Sequence, residues 1–196
     1  MKKSDPQRFQ LKRQVLEADA MRRIVRRMAV EILERQPRLE ELTLVGIRTR
    51  GLPLAHRLAA EIHKIEGFEV PIGALDITFY RDDLSMIGPQ PEVKGSELDG
   101  PIDGRVIVLC DDVLYTGRTV RAALDELKDY GRPRAVRLAV LVDRGHRELP
   151  IEADVVGRSL QTTRSEVVEV GFSDVDGSDF VHLLERTDRG MPSEDS

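Results

Sequence analysis

The chain has 196 residues, 40% hydrophobic and 33% charged, which suits one domain with an aliphatic core, since aromatics are 4% and tryptophan is absent. No apolar run approaches the roughly 20 residues of a membrane-spanning helix. The opening MKKSDPQRFQ lacks the apolar segment of a secretion signal, and a lone cysteine, Cys110, excludes an internal disulfide, so a reducing cytoplasmic setting is expected. The formal charge of −5 is unevenly spread: residues 1–30 carry nine Lys or Arg against three Asp or Glu, which leaves −11 on the remainder. Such a basic run is either a polyanion-binding arm or a solvated helix face.

In chain order, residues 1–17 are polar, weakly patterned and expected to form a flexible arm. Residues 18–35 read as a helix with Ile24, Met28 and Ile32 at helical spacing and Pro37 as its stop. A strand is predicted over 42–46, a loop over 48–51, and a helix over 54–66 ended by Gly67. Strand signal returns over 69–75 and 76–80. Residues 81–104 form a Pro- and Gly-bearing connection, long enough to be a lid or a disordered insertion. A buried strand over 105–110 precedes the loop 113–119 and a helix over 120–130, which Gly131 and Pro133 stop. Further strands are predicted over 135–142, 155–156, 167–170 and 180–184, and residues 187–196 read as a disordered tail. Strand–helix alternation implies an α/β fold, a Rossmann-like parallel sheet flanked by helices. The loops 48–51, 111–119 and 143–147 each follow a strand and should open on one edge, where such sheets bind ligands.

The run VIVLCDDVLYTGRTVRAALDEL, Val106 to Leu127, carries the most chemistry. Asp111 and Asp112 end a strand, where carboxylates can accept hydrogen bonds from a vicinal diol. The loop Val113, Leu114, Tyr115, Thr116, Gly117, Arg118 and Thr119 leads into a helix N-terminus, and its amides and hydroxyls can hold a phosphate dianion. Gly117 lets the backbone approach a ligand closely. Taken alone, the acidic pair could equally cap the helix or bind a metal, and Arg48 to Gly51 could be a plain strand-to-helix turn.

The full run resembles the phosphoribosyl-pyrophosphate (PRPP) motif of type I phosphoribosyltransferases. Together with VGIRTRG (Val45 to Gly51), LDITFYRDDLS (Leu75 to Ser85) and LAVLVDRGHRELPI (Leu138 to Ile151), it is similar to the PyrR family, pyrimidine operon attenuators that are also uracil phosphoribosyltransferases. The likeness is collinear from about Ala20 to Asp176. It implies one phosphoribosyltransferase domain over 18–186, with a lid at 81–104 and a hood at about 155–170. It also implies catalytic roles for Asp111, Asp112 and Arg50, and pyrophosphate contacts from Arg48, Thr49, Arg50 and Gly51, with a cis peptide at Arg48–Thr49. Arg81 would reach the same group from the lid. Mg²⁺ would arrive with PRPP and meet Asp111 and Asp112 indirectly.

By the same resemblance Asp143, Arg144 and Val167 flank uracil, although Asp143 and Arg144 could instead form a local ion pair. Arg22, Arg23, Arg26, Arg27, His146, Arg147 and Arg158 would bind the pyr leader mRNA, with UMP or UTP as co-regulator and the protein a homo-oligomer. Two departures stand out. Glu152 occupies a position where the family usually has arginine, and Arg26 and Val30 replace a usual Thr and His. Three functional readings follow: a regulator that is also an enzyme, a uracil phosphoribosyltransferase without RNA regulation, and a transferase for another base.

Overall fold

The structure is a computed structural model, and it describes residues 9–77, 95–98 and 100–187. Its main layer is a five-stranded parallel sheet in the order β3-β2-β4-β5-β6. These strands are β2 (Leu42–Ile47), β3 (Ile72–Leu75), β4 (Val106–Leu114), β5 (Ala135–Asp143) and β6 (Val155–Ser159). Successive side chains point to opposite faces of a strand, and here both faces are apolar. Val108 and Cys110 of β4, with Ala139 and Leu141 of β5, pack against helices α1 (Ala18–Arg35) and α2 (Gly51–Glu66). Ile107 and Leu109, with Leu138 and Val140, pack against helix α3 (Arg118–Leu127). The predicted helices and strands therefore appear, except that the strand signal over 76–80 is not strand at Asp76 and Ile77 and otherwise lies outside the described residues; burial on both faces explains why the strands read as continuous apolar runs.

α1 buries Met21, Val25, Met28, Ala29 and Ile32 and ends before Pro37, where the Gln36 amide bonds to Ile32 and Leu33 carbonyls. α2 ends at Gly67, whose φ of 68° closes the helix through a 2.8 Å bond to the His63 carbonyl. α1 lies directly over β6, and a Cβ on Gly157 would stand 2.9 Å from Ile24 and 3.0 Å from the Met28 sulfur.

A second sheet, antiparallel and ordered β1-β8-β7, forms the hood from β1 (Phe9–Glu17), β7 (Glu166–Gly171) and β8 (Phe180–Arg186). It corrects two sequence expectations. Phe9–Glu17, expected within a flexible arm, is a strand paired along β8 from Phe9↔Arg186 to Glu17↔Phe180. Only Leu16 of β1 is buried, so backbone pairing rather than an apolar stripe holds it, and no pattern announced it. Val155–Ser159, expected in the hood, is instead the edge strand of the main sheet, paired with β5. The lid expectation over 81–104, including Arg81, falls largely outside the described residues, as does the tail from 188. The returning end is described: Glu97 exchanges two backbone bonds with Ala74, at 2.7 and 2.8 Å, beside β3.

The turn between β7 and β8 contains the short helix α4 (Ser173–Asp176) and fastens the hood to α2. Arg57 forks onto Asp179 through two 2.7 Å bonds, reaches the Ser173 hydroxyl at 2.9 Å, and lies 4.9 Å over the Phe172 ring. Hydrogen bonding to Arg57, ahead of the opposing effect of burial, holds the Asp179 carboxyl below its ordinary pKa. Its stabilisation is therefore complete above the unfolded value of about 3.9 and fades as pH falls through the depressed folded value. Asp179→Asn is expected to remove about 2 kcal/mol of stability at neutral pH. Urea unfolding at pH 7 and pH 3 checks this, and the deficit should shrink at the lower pH.

Candidate active site

Three loops meet at the carboxyl edge of β2, β4 and β5 around a cavity of about 590 Å³. Arg48, Thr49 and Arg50 line it from the first loop, residues Asp111 to Thr119 from the second, and Arg144 from the third. Ile77 after β3 and Val167 and Val168 of the hood complete the wall.

The first loop turns β2 into α2, with a cis Arg48–Thr49 peptide as expected. Two glycines allow its tightness. A Cβ on Gly51 would stand 2.1 Å from the Cys110 carbonyl oxygen, and one on Gly46 would stand 2.3 Å from the Leu52 Cα. Arg50 is buried, and its side chain forks onto Asp176 of α4 through Nε (3.2 Å) and Nη2 (2.8 Å). Asp176 also accepts from the Phe172 amide at 3.1 Å. The guanidinium expected to serve an anionic ligand thus has a carboxylate partner inside the protein. Arg48 lies 3.2 Å from exposed Glu97, and its buried Nε has no partner. That buried Nε is a donor of this turn open to an incoming anion.

β4 continues past Cys110 through the acidic pair to Leu114, because its ladder with β5 runs on to Leu114↔Asp143. Asp111 is buried, and its Oδ1 accepts from the Asp112 amide at 3.0 Å. Burial pushes the Asp112 carboxyl above its ordinary pKa. The hydrogen bond with Asp111, the positive charge of Arg50 and the Val113 amide oppose that rise. Cys110 is fully buried, and its thiol donates to the Val108 carbonyl. Burial pushes this thiol up as well.

The phosphate-type loop is oriented through its carbonyls. The Leu114 oxygen accepts from the Arg144 amide (3.1 Å), and the Tyr115 oxygen from Arg147 Nη1 (2.9 Å). The Thr116 oxygen accepts from the Glu148 and Leu149 amides (3.0 and 3.1 Å). In a planar trans peptide the N–H points opposite to its C=O, so the amides of Tyr115, Thr116 and Gly117 face away from the 144–149 loop. Gly117, at φ 93°, then starts α3, and the positive end of that helix adds to the site. The arrangement is an anion cradle beside two carboxylates, suited to a phosphorylated diol.

The third loop divides its predicted residues. Arg144 is buried, bonds to Thr162 and to the carbonyls of Thr163 and Glu166, and stacks 4.1 Å over the Tyr115 ring. It lines the cavity with Val167, whereas Asp143 does not. Asp143 instead accepts from the Gly145 amide (2.9 Å) and from Arg147 (2.5 Å). The ion pair weighed for Asp143 is present, but with Arg147 rather than Arg144.

The predicted RNA residues also separate. Arg22, Arg23, Arg26 and Arg27 are exposed on α1, and Arg158 is exposed on β6, one residue past Gly157 and so on the sheet face away from α1. Arg22 pairs with Asp19, and Arg27 bonds to the Val156 and Gly157 carbonyls at 2.9 and 2.6 Å, which ties α1 to β6. His146, at φ 58°, bonds through Nε2 to the Thr162 carbonyl and meets Tyr115 edge-on. Arg147 bonds to the Tyr115, Gly145 and Ile151 carbonyls and to Asp143. Asp176 was missed in the sequence; the acidic run SDVDGSD after an apolar strand was its one local signal.

A strand-edge acidic pair, an anion-binding turn before a helix and a basic turn on the neighbouring strand define a phosphoribosyltransferase site. The family model for the phosphoribosyl transferase domain matches residues 12–175. Among solved structures, a hypoxanthine phosphoribosyltransferase from Staphylococcus aureus superposes with a TM-score of 0.65 at 17% identity, covering 89% of this chain and 93% of that one, which speaks to the fold. The bifunctional protein PyrR of Thermus thermophilus is 58% identical over 178 residues, 91% of this chain and 98% of the relative. That of Deinococcus radiodurans is 53% identical over 174 residues, 89% and 95% of the two chains. The chain belongs to the PyrR family of bifunctional phosphoribosyltransferases.

Asp176→Ala would leave the buried Arg50 charge without its fork. The expected loss is about 3 kcal/mol of stability at neutral pH, read from urea unfolding.

Proposed function

We propose that the cleft transfers the ribosyl 5-phosphate group of PRPP to uracil, forming UMP and pyrophosphate, and that bound uridine nucleotide raises the affinity of the protein, through the exposed arginines of α1, for pyr leader RNA. The observation that carries the reading is the convergence of three anion- and diol-binding elements on one cavity. The amides of 115–117, with the Thr116 and Thr119 hydroxyls, hold the 5′-phosphate. Asp111 and Asp112 accept the ribose hydroxyls. Arg48 and the Thr49–Gly51 turn receive the pyrophosphate. Arg50, fixed by Asp176, places positive charge beside Asp112 and the leaving group.

A uracil ring nitrogen forms the new bond to the anomeric carbon as the carbon–oxygen bond to pyrophosphate breaks, and the nitrogen gives up its proton. Positive charge grows on the sugar, so the carboxylates stabilise it electrostatically. Arg144 and Val167 bound the base, and the hood keeps water from competing.

The residues fit Mg²⁺ that comes with the substrate. Asp111 and Asp112, adjacent carboxylates on the cavity wall, would meet such an ion through the bound substrate. When bound, the ion neutralises charge on the leaving pyrophosphate. No helix among the described residues is long and apolar enough to cross a membrane. Assembly into a homo-oligomer belongs to this reading.

Asp112 acts ionised, and its pKa is raised, so kcat/KM should climb with pH through an acid limb above the ordinary aspartate value of about 3.9. Asp112→Asn is expected to lower kcat about 100-fold, to abolish that limb and to change UMP affinity much less. The assay is uracil-dependent pyrophosphate release from PRPP; turnover with hypoxanthine but not uracil would overturn the reading.

For the RNA arm, a gel shift with leader RNA should tighten when UMP is added and weaken steeply with salt, as counterion release requires. Equal affinity for scrambled RNA in the presence of UMP would remove the regulatory half.

A further inference from the structure

Glu166, the first residue of β7, is a carboxylate whose side chain is only 6% exposed. Its Oε1 accepts from Lys12 Nζ at 2.8 Å, and its Oε2 from the Thr163 amide at 2.6 Å. Lys12 lies on β1, so the ion pair reaches across β8, the middle strand of the hood. The same ammonium stands 3.5 Å from Glu185 of β8, and Glu185 is the residue directly opposite Glu166 in the β7–β8 ladder. Like charges facing each other across a strand pair destabilise it. The Lys12 charge offsets that repulsion at the start of β7. Hydrogen bonding to Lys12, followed by the Thr163 amide, holds the Glu166 carboxyl below its ordinary pKa, and the same bond raises Lys12.

Glu166 is joined to the cavity wall through its own backbone. Its carbonyl accepts from Arg144 Nη2 at 2.7 Å, and the Thr163 carbonyl accepts from the same nitrogen at 3.0 Å. Arg144 Nε donates to the Thr162 hydroxyl at 3.2 Å. One turn, residues 162–166, therefore holds the guanidinium where it lies over the Tyr115 ring. The next two residues of β7, Val167 and Val168, line the cavity together with Arg144 and Tyr115. The turn after β2 is fastened separately, through Arg50 and Asp176.

We propose that Lys12 and Glu166 are positioning residues for the nucleobase pocket: their ion pair, drawn across the hood, fixes the 162–168 segment and with it Arg144 beside the base. The inference deepens the nucleotide half of the functional reading and rests on it. Without Lys12, a buried carboxylate loses its cation and faces Glu185 unscreened, so the start of β7 moves apart from β8 and the wall against the base loosens. The phosphate cradle and the turn after β2 have their own fastenings, so the grip on PRPP stays. A wall that meets the base alike in substrate and transition state changes KM for uracil and leaves kcat nearly as it was.

The experiment compares wild type, Lys12→Met, Lys12→Arg and the double variant Lys12→Met/Glu166→Gln. Pyrophosphate release gives KM for uracil, KM for PRPP and kcat, at a temperature below the lowest unfolding midpoint so that lost stability is not read as lost binding. Lys12→Met is expected to raise KM for uracil about 10-fold, with PRPP KM and kcat within about two-fold of wild type. Lys12→Arg keeps the charge and the reach, and its uracil KM stays near wild type. The double variant has no orphaned carboxylate, so its uracil KM recovers to about three-fold above wild type.

A uracil KM in Lys12→Met equal to that of wild type overturns the proposal. So does a PRPP KM that rises in step with it, because general loosening of the fold moves both, or a Lys12→Arg enzyme no better than Lys12→Met. Wild-type enzyme that releases no pyrophosphate in response to uracil overturns the functional reading, and this inference with it, whereas an active wild type matched by its variants removes the ion-pair role alone. Should Lys12→Met not fold, the double variant carries the comparison, and a wild-type uracil KM in it overturns the proposal.

Discussion

The site depends on a single close approach. The first residue of α2 sits against the end of β4 so tightly that even a methyl group at Gly51 would collide with the Cys110 carbonyl. That contact brings the turn after β2 beside the acidic pair at the end of β4, as adjacent parallel strands permit. A larger residue would push the turn off the sheet edge and separate the basic and acidic halves of the cleft. Gly46 has the matching role just before it, by letting the first turn of α2 fold back on β2. The catalytic geometry is therefore set by backbone packing, and the side chains are placed on a frame that is already fixed.

Electrostatics build on this frame in layers. Asp176 holds Arg50 and Arg50 faces Asp112, so charges of alternating sign run from the hood into the cleft, where Asp111 accepts from the Asp112 amide. Removing one member of such a buried series leaves another charge without compensation, which costs more than the pair's own net contribution. Seven residues along α2, Arg57 repeats the arrangement with Asp179. The acidic turn of the hood thus grips one helix at two successive points, and the small sheet is registered to the turn after β2 and not merely packed on it.

Much of this was legible because the chemistry is written in contiguous residues. The strand, acidic pair, glycine turn and helix of Val106 to Leu127 form a local unit whose order already states its purpose, and the helix-stopping Pro37 and Gly67 stand where the helices end. What escaped was set by distant partners. Asp176 matters because it meets Arg50, 126 positions away, and the acidic run around it does not name that partner. β1 is nearly all exposed and is held by pairing with β8, so its residues lack the alternation that marks a half-buried strand. Val155–Ser159 could belong to either sheet by pattern alone; its pairing with β5 decided. The partners of Arg147, carbonyls and a carboxylate, likewise follow no spacing rule.

Cys110 illustrates a last property of the frame. Its main chain receives Gly51 at the heart of the cleft, yet its sulfur points into the apolar layer beneath α1 and α2, protonated and shielded. Thiolate character and access govern attack by peroxides and alkylating agents. The native enzyme should therefore keep working through oxidative episodes that silence thiol-dependent enzymes, and label at this sulfur would report that the sheet itself has opened.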